Sequence, residues 1–133
     1  MGIVIFADST FLIDLQRSER NPHYASALEW LESNPNVEVK VSVVVWGEFL
    51  EGVGDLNQPI VTKFRSEFEL ISISRKVAES YGRLSKDLRQ KGRPIGPNDT
   101  WIAATALAHE APLLTRNVTH FTRVPGLQVV NYA

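Results

Sequence analysis

The sequence predicts an α/β fold, a three-layer α/β/α sandwich around a mostly parallel central sheet. Three observations carry this reading. Short apolar runs alternate with amphipathic stretches, the pattern of buried strands joined by helical crossovers. Turn-forming residues separate them at Asn34-Pro35-Asn36, Gly52 to Gly54, Gly92 to Gly96 and Pro125-Gly126. The 133 residues contain no repeat, low-complexity tract or long linker, which predicts one domain over 1–133 burying roughly two thirds of its unfolded surface.

The elements follow in order. Ile3-Val4-Ile5-Phe6-Ala7 is a buried strand, followed by a short helix from Thr10 to about Arg17. A second helix runs from Pro22 to about Ser33, with Tyr24, Leu28 and Leu31 on one stripe. Val37, Val39, Val41 and Val43 alternate with Glu38, Lys40 and Ser42, a period-two strand whose Ser42 is placed to cap the next helix. That helix carries Glu48 and fades at Gly52 and Gly54, and Pro59 to about Glu69 is helical again through Ile60, Phe64 and Phe68. Leu70-Ile71-Ser72-Ile73 is a short strand. Val77, Tyr81, Leu84 and Leu88 are the apolar stripe of a long helix from about Arg75 to Lys91, ended by Gly92 and Pro94. A helix from Asp99 to about Glu110, with Asn98 as its N-cap, precedes strands at Pro112-Leu113-Leu114-Thr115 and Leu127-Gln128-Val129-Val130-Asn131.

Composition narrows the function classes. With no cysteine there is neither a disulfide framework nor a thiolate zinc site. A net charge of −1 and a pI near 6.3 exclude a protein that holds nucleic acid by bulk charge alone. Met1 to Asp8 has no basic leader and meets a charge after about five apolar residues, unlike a signal peptide or a membrane span, so cytoplasmic residence is expected.

Three distant acids mark the candidate site. Asp8 ends the first strand, at the carboxyl edge where parallel α/β sheets bind ligands. Asp99 opens a helix rich in small residues, and Glu48 stands in the otherwise apolar Val43-Val44-Val45-Trp46-Gly47-Glu48-Phe49-Leu50. Alone, Asp8 also reads as an N-cap and Asp99 as a first-turn acid favoured by the helix dipole. Together they form an oxygen-rich set suited to Mg²⁺ or Mn²⁺ and to metal-assisted hydrolysis of a phosphate ester. Arg83, Lys86, Arg89, Lys91 and Arg93 form one basic cluster, with Arg116 and Arg123 in another. Of these, Arg83, Lys86, Arg89 and Arg116 are candidate phosphate contacts. Asp14, Glu51 and Asp55 read as surface charges, Glu51 also as an outer ligand. His109 and His120 read as surface or packing residues, and Trp30, Trp46 and Trp101 as core.

Four segments, Asp8-Ser9-Thr10-Phe11-Leu12-Ile13-Asp14-Leu15, Trp46 to Gly52, Gly92 to Leu107 and Leu114-Thr115-Arg116-Asn117-Val118-Thr119-His120-Phe121, resemble the PIN-domain family in its VapC toxin branch. The resemblance spans nearly the whole chain. It implies a PIN-like fold, an Mg²⁺- or Mn²⁺-dependent endoribonuclease, an RNA substrate, a cognate VapB-like antitoxin and a homodimer, for which Ile60-Phe64-Phe68 or Tyr24-Leu28-Leu31 would serve as interface or as core. It implies Asp8, Glu48 and Asp99 as the core acids, with Thr10 and Thr115 supporting them. Asn117 departs from the family, many members having a fourth acid there, and supplies a neutral oxygen in its place. A PIN-like module that binds RNA or protein with weak or no catalysis is the alternative. A phosphatase using Asp8 as nucleophile would want a second Asp two residues on, where Thr10 stands.

Overall fold

The computed structural model describes residues 2–16 and 20–133. Strand β1 (Ile3–Ala7) lies at the centre of a five-stranded sheet. Its Ile5, Phe6 and Ala7 are buried, as a strand covered on both faces requires. Helix α1 (Ser9–Asp14) follows at once, because the Asp8 side chain accepts the Thr10 N–H and so caps it. This helix is shorter than the span from Thr10 to Arg17, and Arg17 lies outside the described residues. Helix α2 (Tyr24–Ser33) buries Ala27 and packs Trp30 and Leu31 against the core. The apolar face is therefore rotated from the Tyr24-Leu28-Leu31 stripe, and Leu28 remains 37% exposed.

Strand β2 (Val37–Ser42) ends where Ser42, itself buried, turns its hydroxyl to accept the Val45 N–H at 3.2 Å. That cap opens α3 (Val43–Val53), so Val43 belongs to the helix rather than the strand. Ser42→Ala should lower stability by about 1 kcal/mol. A lower urea midpoint at unchanged slope is the expected result, and an unchanged midpoint would contradict it.

Helix α4 (Pro59–Glu67) and strand β3 (Glu69–Ile71) come next, with Ile73 exposed beyond the strand. Phe64 and Phe68 are buried, which makes the Ile60-Phe64-Phe68 stripe core rather than interface. Helix α5 (Arg75–Gln90) is capped by Ser74 and buries Val77, Leu84 and Leu88, while Tyr81 stacks on Trp101 with ring centroids 3.8 Å apart. Helix α6 (Pro97–Ala108) starts two residues before Asp99. Its N-cap is Gly96 at φ +92°, a conformation glycine adopts without the Cβ penalty, and Asn98 is therefore inside the helix. Strand β4 (Leu113–Thr115), a single turn α7 (Val118–Phe121) and strand β5 (Val129–Asn131) complete the chain. Periodicity cannot announce a helix as short as α7.

The strand order is β3-β2-β1-β4-β5, and every neighbouring pair is parallel. Ala7 pairs with Val41 on one side and Leu114 on the other. The next residues on these three strands, Asp8, Ser42 and Thr115, consequently emerge together at the carboxyl edge. That edge carries the site. Among the described residues, no helix is long and apolar enough to cross a membrane.

Candidate metal centre

Asp8 is only 3% exposed and is enclosed by hydroxyls. Its Oδ1 accepts the Thr10 backbone N–H at 2.9 Å and the Thr10 hydroxyl, and its Oδ2 accepts the Thr115 hydroxyl at 2.5 Å. Thr10 and Thr115 are held in turn, accepting the Arg116 and Asn117 backbone N–H groups at 3.4 and 2.9 Å. Burial pushes the Asp8 carboxyl above its ordinary range, and the threonine bonds only partly oppose this.

Glu48 projects from α3 into a cleft of about 460 Å³ lined by Ser9, Ile13, Gly47, Glu51 and Asn98. Ser9 adjoins Asp8 and Asn98 adjoins Asp99, so the cleft brings the surroundings of all three acids to one edge of the sheet. Glu48 Oε2 lies 3.4 Å from the Asn98 amide nitrogen. Its Oε1 is buried without a hydrogen-bond partner among the described residues. A buried carboxylate oxygen in that state is costly unless something positive meets it. The donor set is all oxygen, which fits a hard divalent cation. As the side chains stand, no three His, Asp or Glu groups among the described residues converge into a ready ligand cluster.

Asp99 lies in the first turn of α6, where the helix dipole favours an acid. Its Oδ2 is 2.8 Å from His120 Nε2. His120, read from the sequence as a surface or packing residue, packs on Phe121 and also meets one of the candidate acids. The signal that could have found it is its position five residues beyond Thr115, across the turn that leaves β4. Asn117 caps α7 without a side-chain cap bond, and its backbone N–H supports Thr115.

Asp14 also departs from its place in the sequence reading. It reads as a surface charge but is 2% exposed, because it accepts Arg116 Nε at 2.8 Å, Arg116 Nη2 at 3.4 Å and the Tyr132 hydroxyl at 2.6 Å. Burial and Asp14 together push the Tyr132 phenol up, and Asp14 holds Arg116 in its charged form. Arg116 is consequently an internal ion-pair partner, which leaves less of its guanidinium for phosphate. Of the other basic candidates, Arg89 lines a groove with Gly96 and Pro97 beside the start of α6. Arg83 instead lies near Leu107 and Pro125, at the far end of α6, and Lys86 is exposed on α5. Lys91 pairs with Asp87 at 3.1 Å.

A parallel sheet with acids at its carboxyl edge defines a class, and the sequence places the chain in one. Residues 5–127 match the family described as PIN domain, and the chain belongs to the PIN-domain family. Within it the chain stands among the VapC ribonucleases. It is 37% identical over 114 residues to Ribonuclease VapC2 of Rickettsia felis, covering 82% of this chain and 84% of that one. It is 36% identical over 121 residues to Ribonuclease VapC19 of Mycobacterium tuberculosis, covering 91% and 94%. The fold matches that of VapBC2 from Rickettsia felis, solved bound to a DNA fragment from their promoter, with TM-score 0.83, 31% identity and coverage of 98% and 100%. VapBC-1 from nontypeable Haemophilus influenzae gives TM-score 0.78 at 26% identity, with 98% of each chain covered.

Proposed function

We propose that this chain is the toxin of a toxin–antitoxin pair, a cytoplasmic endoribonuclease that hydrolyses RNA phosphodiesters with Mg²⁺ or Mn²⁺. The observation that carries the metal is Glu48 Oε1, buried and without a hydrogen-bond partner among the described residues, beside other carboxylate oxygens. Asp8, Glu48 and Asp99 would hold the cation, with Asn117 offering a neutral oxygen. A bound cation of this kind supplies activated water and offsets charge on the phosphodiester. The chain's own residues do the rest. Thr10 and Thr115 orient Asp8, the start of α6 presents Asp99, and Arg89, beside the start of α6, would meet RNA phosphates together with the exposed Lys86. The acidic edge also suits an antitoxin that inserts an arginine or lysine, since a cation there pairs with the carboxylates and competes with the metal. The VapBC complexes of the relatives support such a partner.

Isothermal titration of Mn²⁺ into the wild type, Asp8→Asn and Asp99→Asn tests the ligand set. Each substitution should weaken binding, and equal affinity in all three would remove the assignment. The pH dependence has a defined sign. Folded Asp8 holds its proton more tightly than the unfolded chain does, so the cation-free fold loses stability as pH rises from the ordinary carboxylate value through the raised one. A cation displaces that proton, so its affinity should rise with pH through the same window. Affinity that is flat or falling there would contradict the role of Asp8.

A further inference from the structure

We propose that His120 is a positioning residue for Asp99, holding one carboxylate oxygen so that the other is presented to the cation. The proposal rests on the metal-centre reading above. His120 Nε2 is 2.8 Å from Asp99 Oδ2 and 3.1 Å from the carbonyl oxygen of Ile95. The Ile95 carbonyl can only accept, so the ring proton sits on Nε2, where it also faces Asp99 Oδ2. Nε2 is thereby committed as a donor and is not itself a metal ligand in this arrangement.

The anchor behind this donor is rigid. Ile95 is buried, and Gly96 immediately after it fixes the start of α6. The imidazole also stands edge-on to the buried Phe121 ring, with centroids 5.4 Å apart at 82°. One ring therefore ties α7, the loop before α6 and the first turn of α6 to a single carboxylate. The Asp99 side chain is 33% exposed. Without a restraint it would exchange rotamers in solvent, and each binding event would bear that ordering cost. The contact falls on Oδ2, which leaves Oδ1 for the cation.

The test uses the full chain with His120→Phe, which keeps a ring and removes the donor, and His120→Gln, which keeps an amide donor. Titration of Mn²⁺ without RNA should show His120→Phe weakened about tenfold and His120→Gln within about threefold of wild type. Cleavage by His120→Phe should return towards the wild-type rate at saturating Mn²⁺. Unchanged Mn²⁺ affinity in His120→Phe overturns the proposal, and so does an equal loss in both variants, since that would make ring shape rather than the donor responsible. A measurement on the unmutated chain covers a variant that fails to fold: the His120 Nε2–H proton resonance should shift on Mg²⁺ addition, and a resonance that does not move overturns the proposal. Wild type that binds neither cation overturns the metal-centre reading and this inference with it, an outcome distinct from tight binding that ignores His120.

Discussion

Asp8→Ala should lose RNA cleavage by roughly three orders of magnitude in kcat/KM while remaining folded. The loss is large because Asp8 is the acid whose two oxygens are both oriented from separate elements, by Thr10 on α1 and by Thr115 at the end of β4. The fold survives for a compensating reason. The substitution leaves two threonine hydroxyls without their acceptor, but it also removes a carboxyl that burial disfavours in its charged form. Asp99→Ala should be similarly inactive. Asn117→Ala should lose less, because the bond that Asn117 gives to Thr115 comes from its backbone and persists in alanine. Rates measured across a Mg²⁺ titration, with circular dichroism to verify folding, distinguish these variants. Cleavage by Asp8→Ala after removal of contaminating nuclease would defeat the mechanism, and an Asn117→Ala protein as inactive as Asp99→Ala would promote Asn117 to a primary role.

The largest effect on stability is expected away from the acids of the cleft. Asp14→Ala strands a guanidinium and a phenol that share one buried carboxylate. Breaking a fully buried pair from one side costs about 3–5 kcal/mol. Arg116 is 36% exposed and can turn towards water, which lowers the figure to about 2–4 kcal/mol. Urea unfolding should show this as a lower midpoint at unchanged slope. A change below about 0.5 kcal/mol, the scale of ordinary surface substitutions, would mean that the cluster contributes little.

These two acids show what the sequence reveals and what it conceals. Asp8 was legible because a charge that ends an apolar strand has a definite place in a parallel sheet. Glu48 was legible because it stands in an otherwise apolar run from Val43 to Leu50. Asp14 was not, since its partners Arg116 and Tyr132 are 102 and 118 residues away in the chain, and a lone acid near the end of a short helix has the statistics of a surface residue. His120 was hidden in the same way, its partner lying on another helix. The strands themselves could be read from apolar runs, although β3, β4 and β5 are only three residues each. Their lateral order could not, because alternation fixes parallel pairing but not which strand is the neighbour of which. The α2 face was displaced because a small residue, Ala27, is the one buried in the core, and hydrophobicity scales favour the larger Leu28.

The bond from Thr115 to Asp8 closes a loop of 107 residues. A contact of such separation forms only once the entropy of closing the intervening chain has been overcome. Strand β4 must therefore dock beside β1 before Asp8 has both of its hydroxyl partners. A chain that has collapsed around β1 and β2 alone already contains Asp8 and Glu48, yet lacks the element that orients the first and the helix that brings Asp99. The carboxyl edge is therefore complete only when segments from both ends of the chain have come together, with Asp8 from β1 and Thr115 from β4 joined across it.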